Sequence, residues 1–275
     1  MDLARFTAGD VEAASGTYGG HVRARPRAVV RPRSVDEVLE LIRIARGAGL
    51  AIGARGQGHS TGGQPLVPDG LVVETGELAQ IGEIDDGAVW VGAGATWRQV
   101  VAATLPRGLA PPVLNDYLGL SVGGTLSVGG VGMASFRHGA QVDQVRELDV
   151  VTGAGELIRC SAVRERGLFD AVRAGQGQVG IIVAARLAVT PAPTHVEVRK
   201  VHLRDGGMTE PCGRTSLEQK ALAPFRIGGQ FRRKDLYGDR PLELKIVRPV
   251  NNTHASLTND AINAVMAQGL ANQRR

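Results

Sequence analysis

The sequence predicts an α+β fold for roughly its first 193 residues. Short valine- and isoleucine-rich runs alternate with stretches of helical periodicity. Glycine is abundant, at 38 of 275 residues, and many of these cluster between the runs, as loops or close backbone approaches do. Apolar residues make up 43% of the chain, enough for a sizeable core.

Met1 to His21 is polar and weakly patterned. Ala28, Val29 and Val30 read as a short strand. Ser34 then starts a helix, with Glu37 three residues on in the capping-box position. Val35, Val38, Leu39 and Ile42 share one helical face, and Asp36, Glu37, Glu40 and Arg43 the other. Gly47 or Gly49 ends it. Leu50 to Ala54 is the next strand, and Leu71 to Glu74 and Ala88 to Gly92 are two more. Thr96 caps a helix that runs through Trp97, Val100 and Val101 to Leu105. A loop with Pro106, Pro111 and Pro112 leads to Asn115-Asp116-Tyr117-Leu118. Val145 to Thr152 and Leu157 to Cys160 read as strands joined by a turn at Gly153-Ala154-Gly155. Leu168 to Arg173 reads as helix and Val179 to Thr190 as a long strand, closed by Pro191 and Pro193. After about Glu210 the pattern weakens, with one helix expected over Ala261 to Leu270.

Composition excludes some functions. Aromatic residues are only 4%, too few for a face of stacking rings such as single-strand nucleic-acid binders use. The formal net charge is +5, but after Glu210 Lys and Arg outnumber Asp and Glu by 11 to 5, which leaves the main body near neutral. The basic tail reads as a solvated segment rather than a nucleic-acid face. Two cysteines, Cys160 and Cys212, supply neither a disulfide framework nor metal-ligand spacing. The first 30 residues lack an apolar run and no stretch reaches membrane-spanning length, so the expectation is a cytoplasmic protein without membrane contact.

The most informative stretch is Arg55-Gly56-Gln57-Gly58-His59-Ser60, which opens a loop running on to Gln64 at the C-terminal end of a strand. That is where α/β architectures place ligands. Its glycines let backbone N–H groups converge on an anion, and His59 could then touch whatever the loop holds. On these residues alone, a glycine-rich surface turn fits as well. Ser121 to Gly132, with five glycines in twelve residues, is a second candidate phosphate cradle; close packing of chain segments is the alternative. Gly175-Gln176-Gly177-Gln178-Val179-Gly180 spells the dinucleotide fingerprint in the wrong context, with a helix before it and a strand after it. A tight turn beside a ligand suits it better. Asp116 lies five residues before the second cradle. Burial beside a cofactor would make it a general base; otherwise it is an Asx turn or a cap.

The order of these pieces resembles cytokinin dehydrogenases and their bacterial relatives, within the vanillyl-alcohol oxidase / p-cresol methylhydroxylase type of FAD proteins. The match is carried by Asp116-Tyr117-Leu118, Val122-Gly123-Gly124-Thr125-Leu126-Ser127, Phe136-Arg137-His138-Gly139, Leu148 to Gly153, Cys160-Ser161, Leu168 to Val172 and Gly177 to Ile182. Upstream, Gly58-His59-Ser60 followed by Gln64 resembles the family's flavin-linking loop. The resemblance covers roughly Val29 to Pro193. It implies an FAD-binding domain of two subdomains, about 26–80 and 81–193, after an N-terminal segment 1–25. Residues 194–275 would be a remnant of the substrate domain or a disordered tail.

The same resemblance implies covalent FAD on His59, with Arg55, Gly56, Gln57, Gly58, Ser60 and Gln64 wrapping it. It also implies that Ser121, Ser127, Val131 and Ile182 contact FAD, and that Asp116 takes a proton from a substrate amine. Relatives of the berberine-bridge type carry a second flavin link through a cysteine; Ser121 to Gly132 has none, and Cys160 reads as core. Gln57 stands where a basic residue is frequent in the family. The implied function is an FAD-dependent oxidoreductase acting on the C–N bond of a secondary amine, with oxygen or a quinone as electron acceptor. The alternatives are a flavin-binding fragment without turnover, or an alcohol or sugar oxidase. Because the last 80 or so residues do not resemble the family, a truncation or frame change near Glu210 is also expected.

Overall fold

Period-two alternation in the first β-rich stretch builds a four-stranded sheet from β1 (Thr7–Ala8), β2 (Ala28–Arg31), β3 (Ile52–Arg55) and β4 (Leu71–Glu74), in the order β1-β2-β4-β3. The computed structural model describes residues 3–193 and the backbone of 197–200 and 244–247. Strands β2, β4 and β3 are parallel, and β1 joins β2 antiparallel with Thr7 opposite Arg31. The polar N-terminal stretch thus supplies an edge strand, and buries Phe6 and Ala14, which its weak pattern did not announce.

Between β2 and β3 runs α1 (Val35–Gly47), whose Val38, Leu41, Ile42 and Ala45 are buried. Ser34 Oγ accepts the Glu37 N–H at 3.2 Å, as the capping pattern predicts. The reciprocal bond is shifted: the Glu37 carboxylate accepts the N–H of Arg33, one residue before the cap. The alternating strands sort their side chains to two faces. Val30, Leu71 and Val73 pack with α1 and with Val151, Ile181 and Val183, while Val29 and Val72 pack against Ala14.

A second, five-stranded antiparallel sheet follows, ordered β5-β6-β10-β8-β9. Its strands are β5 (Ile81–Asp85) and β6 (Ala88–Gly92), then β8 (Val145–Thr152), β9 (Leu157–Ser161) and β10 (Gly180–Ala188). Between β6 and β8 lie α2 (Trp97–Thr104), β7 (Leu109–Ala110), α3 (Val122–Val128) and α4 (Ser135–His138). Between β9 and β10 lies α5 (Arg166–Val172), and β11 (Thr190–Pro191) returns to pair with β7. The β5 strand escaped the sequence reading because Gly82 and Glu83 interrupt its alternation, leaving two exposed residues in succession. From Ala192 onward the chain forms a separate unit, in which β12 (Glu197–Lys200) pairs antiparallel with β13 (Leu244–Val247). The helix expected over 261–270 and the proposed break near Glu210 lie outside the described residues.

The largest departure from expectation is at 121–132. This stretch is not a loop: residues 122–128 form α3 despite two internal glycines. Val122 and Leu126, four apart, are both fully buried. The helix is fastened at its start, where Val122 N–H donates to Ala95 O at 2.8 Å and Gly123 N–H to Ala93 O at 2.8 Å. Trp97 Nε1–H donates to Thr125 Oγ1 at 2.8 Å, and that hydroxyl donates onward to Val122 O. Tertiary bonds therefore offset the low helix propensity of glycine.

Candidate functional site

Three parallel strands finish side by side, and their last residues set the base of the site. Arg31, Glu74 and Arg55 end β2, β4 and β3. Glu74, nearly buried, accepts from Arg31 Nε at 2.7 Å and from Arg55 Nη1 at 2.6 Å. Arg55 Nη2 also donates to Ala13 O at 3.0 Å. The guanidinium is thus committed to the fold, pulling the chain into a fixed exit from β3.

From that exit the loop turns at Gly58, whose φ of +73° is a left-handed value that L side chains resist; a Cβ there would also overlap the Arg55 guanidinium. Gly56 faces α3 so closely that a Cβ would overlap Ser121 Oγ. Along this contact runs a groove of about 300 Å³. One wall is the loop from Gly56 to Thr61 with Gln64. The other is Leu120, Ser121, Gly124, Thr125 and Val128, and Gln176 closes one side. Among the described residues no Lys or Arg lines it; apart from His59 the polar groups there are amides, hydroxyls and backbone.

His59 is exposed on this loop, stacked on Tyr18 with centroids 4.7 Å apart and 19° between planes. The Tyr117 ring is also beside it, tilted by 36° with centroids 5.1 Å apart. The ring nitrogen Nδ1 is 3.1 Å from Gln57 O, and Tyr18 N–H donates to Ser60 O at 3.0 Å. Two aromatic rings and the Gln57 carbonyl thus hold the imidazole, and the backbone bond ties the Tyr18 segment to the His59 loop. Asp116 precedes Tyr117 and is exposed.

Two buried polar atoms of the groove residues, Ser121 Oγ and Gln64 Oε1, have no hydrogen-bond partner among the described residues. Unsatisfied buried acceptors and donors are rare and costly, so their presence in a groove suits a polar ligand. Small residues on both walls admit close approach, and neutral donors suit a diphosphate held by N–H and O–H groups. The residues present fit a large phosphate-bearing cofactor.

Comparison with known proteins identifies that cofactor's class. Residues 26–161 match the family model described as an FAD binding domain. The stretch that supplies both walls of the groove is thus similar to FAD binding domains. Its relatives include an uncharacterised oxidoreductase of the fasciation locus of Rhodococcoides fascians, 45% identical over 191 residues, covering 70% of this chain and 43% of that protein. Cytokinin dehydrogenase 7 of Oryza sativa subsp. japonica is 44% identical over 191 residues, with 66% and 36% covered. Cytokinin dehydrogenase 4 of Arabidopsis thaliana is 40% identical over 214 residues, with 71% and 41% covered. The chain spans less than half the length of these relatives.

The groove brings together Gly56, Gln57, Gly58, His59, Ser60, Gln64 and Ser121 of the predicted set. It does not line itself with the other five. Arg55 is turned into its ion pair with Glu74. Ser127 Oγ donates back to Gly123 O at 2.7 Å within α3. Val131 is 74% exposed beyond the helix, and Ile182 is buried in β10 opposite Val150. Asp116 is at the surface rather than buried. Sequence reasoning gave no site role to Tyr18, which carries no motif, to Tyr117, which it named only as part of the Asp116-Tyr117-Leu118 match, or to Gln176, whose tight turn beside a ligand it assigned to the glycines.

Proposed function

We propose that this chain is the cofactor-holding part of an FAD-dependent oxidoreductase that oxidises the C–N bond of a secondary amine. The carrying observation is the groove itself: a neutral cleft with two unpartnered buried polar atoms, and His59 clamped on its rim by Tyr18 and Tyr117. The similarity to cytokinin dehydrogenases supports the amine as substrate class.

In this reading Gly56, Gly58 and Ser121 admit the diphosphate close to the backbone, and Ser60 and Thr61 stand beside it with hydroxyl groups. His59 is the point of covalent attachment. The chemistry supplied by bound FAD is acceptance of the hydride that leaves the carbon beside the amine nitrogen. Asp116 accepts the N–H proton at a carboxylate oxygen, which leaves an imine for water to hydrolyse. An electron acceptor such as oxygen or a quinone completes the cycle.

The test is a visible spectrum of the purified chain, followed by acid precipitation. A yellow pellet supports covalent flavin on His59, and His59→Ala is expected to move the colour to the supernatant. A colourless protein overturns the reading. Where turnover of amines over alcohols is found, Asp116→Ala is expected to keep the flavin and lower the rate by at least tenfold; an unchanged rate removes Asp116 from its role.

A further inference from the structure

The turn between α5 and β10 contains a residue whose backbone and side chain call for opposite choices. Gln176 sits at φ +58°, a left-handed conformation that costs an L residue about 1 kcal/mol or more relative to glycine. Glycines flank it on both sides, so a glycine-rich turn is already present. A third glycine would relieve the backbone, yet a long amide stands there.

The side chain shows what it does. Gln176 Oε1 accepts from Gln64 Nε2 at 3.0 Å, across 112 residues of sequence and across the groove that both residues line. Its own N–H donates to Ser127 O at 2.8 Å, and Ala174 N–H donates to Leu126 O at 2.9 Å, so the turn is seated on the C-terminal end of α3. Gln64 belongs to the loop that leaves β3. The amide pair therefore joins the two walls, and the remaining Gln64 oxygen, Oε1, is buried without a partner.

We propose that Gln176 is a positioning residue of the cofactor groove, holding Gln64 across the gap so that the His59 loop and α3 keep the separation the flavin needs. This rests on the reading of the groove as the FAD site.

A role in positioning separates from a role in stability. Gln176→Gly removes the bridge and relieves the backbone; Gln176→Asn keeps a residue that tolerates the left-handed region but is one carbon too short to reach Gln64. In the full chain, both variants are expected to melt at or above the temperature of the unaltered protein for glycine, and within a degree or two for asparagine. FAD titrated into the apo chain and followed by flavin fluorescence is expected to bind about three- to tenfold more weakly in both, the loss of one hydrogen bond. The acid-stable flavin fraction, measured in parallel, reads attachment separately from binding. Equal affinity in the unaltered chain and both variants overturns the inference while leaving the FAD site intact. A parallel fall in stability and affinity also overturns it, since that marks a structural role alone. An unaltered chain that binds no FAD overturns the reading of the groove and this inference together.

Discussion

The two walls of the groove are both glycine-rich, yet they are built in opposite ways. The wall from Gly56 to Thr61 is a loop held at its root by charge: Arg31, Glu74 and Arg55 form a row across three strand ends, with Glu74 and Arg55 largely enclosed and Arg31 partly exposed. The wall at 121–128 is a helix held by neutral hydrogen bonds, from Trp97 to Thr125 and from the start of α3 to Ala93 and Ala95. In the loop a glycine serves a backbone angle, at Gly58; where the walls meet a glycine serves an approach, at Gly56 against Ser121. The same residue type thus carries two unrelated physical duties a few residues apart. The charged groups stay beneath the ligand space and the neutral ones face it.

Breaking the charged anchor is expected to have the largest effect. Glu74→Ala leaves Arg55, whose side chain is 16% exposed, without its carboxylate, and Arg31 loses its partner as well. Removing one member of such a pair costs about 3–5 kcal/mol. Urea unfolding should show that loss, with flavin binding falling in step. If the loss is under 1 kcal/mol, the row does not hold the loop. Next comes the contact between the walls. Gly56→Ala forces its Cβ into Ser121 Oγ, an overpacking expected to cost about 1–3 kcal/mol and to part the walls. Adding Ser121→Ala removes the overlapped oxygen and should restore part of the stability. Failure of that rescue, with the single variant destabilised, would show that the strain lies elsewhere.

How much of this could be read beforehand follows from the same contrast. The strands Leu71–Glu74, Ala88–Gly92 and Val145–Thr152 have the bounds their apolar runs predict, because β-branched runs between turn residues have few alternatives. The helix at Ser34 and the helix at Thr96 are marked by caps, and both cap bonds are present. Residues 122–128 looked like loop because local propensity is all that a sequence shows. The bonds that override it come from Trp97, Ala93 and Ala95, distant in pattern if not in number. Likewise, the resemblance puts Arg55 among the residues that wrap the cofactor. Only the register that puts it beside Glu74 shows its charge to be engaged. Tyr18 and Gln176 were illegible for a related reason: each acts through a partner more than 40 residues away.

The neutral anchor should yield a smaller effect than the charged one. Thr125→Val keeps the shape but removes the hydroxyl that Trp97 Nε1–H donates to, in a position where Trp97 is 2% exposed. A buried donor left without a partner costs about 1–3 kcal/mol. Thermal unfolding should show it, while Thr125→Ser, which retains the hydroxyl, should recover most of the loss. Were valine harmless and serine destabilising, packing of the methyl group rather than the hydrogen bond would be what fixes α3. The comparison with Glu74→Ala would then no longer be one of charged against neutral anchoring.

The smallest expected effect concerns a group far from both walls, and it sharpens the contrast by showing a buried group with no partner duty. Cys160 in β9 is fully buried, and burial, with the charges of Asp149 and Glu165 adding to it, pushes its thiol up to about 11. A raised value in the folded state means that the neutral thiol is favoured by folding. The stabilisation is complete below the unfolded-state value near 9 and is lost as pH rises toward 11. At pH 10 the loss amounts to about 1 kcal/mol. The unfolding free energy of the unaltered chain minus that of Cys160→Ala, followed from pH 8 to pH 10, should therefore fall by about that amount, the unaltered chain losing stability faster. Alkylation at neutral pH, read by mass on the peptide containing Cys160, should be slow until the protein unfolds. Fast labelling of the native chain would mean that β9 opens readily, and that the second sheet is a poorer platform for α3 than its hydrogen bonding implies.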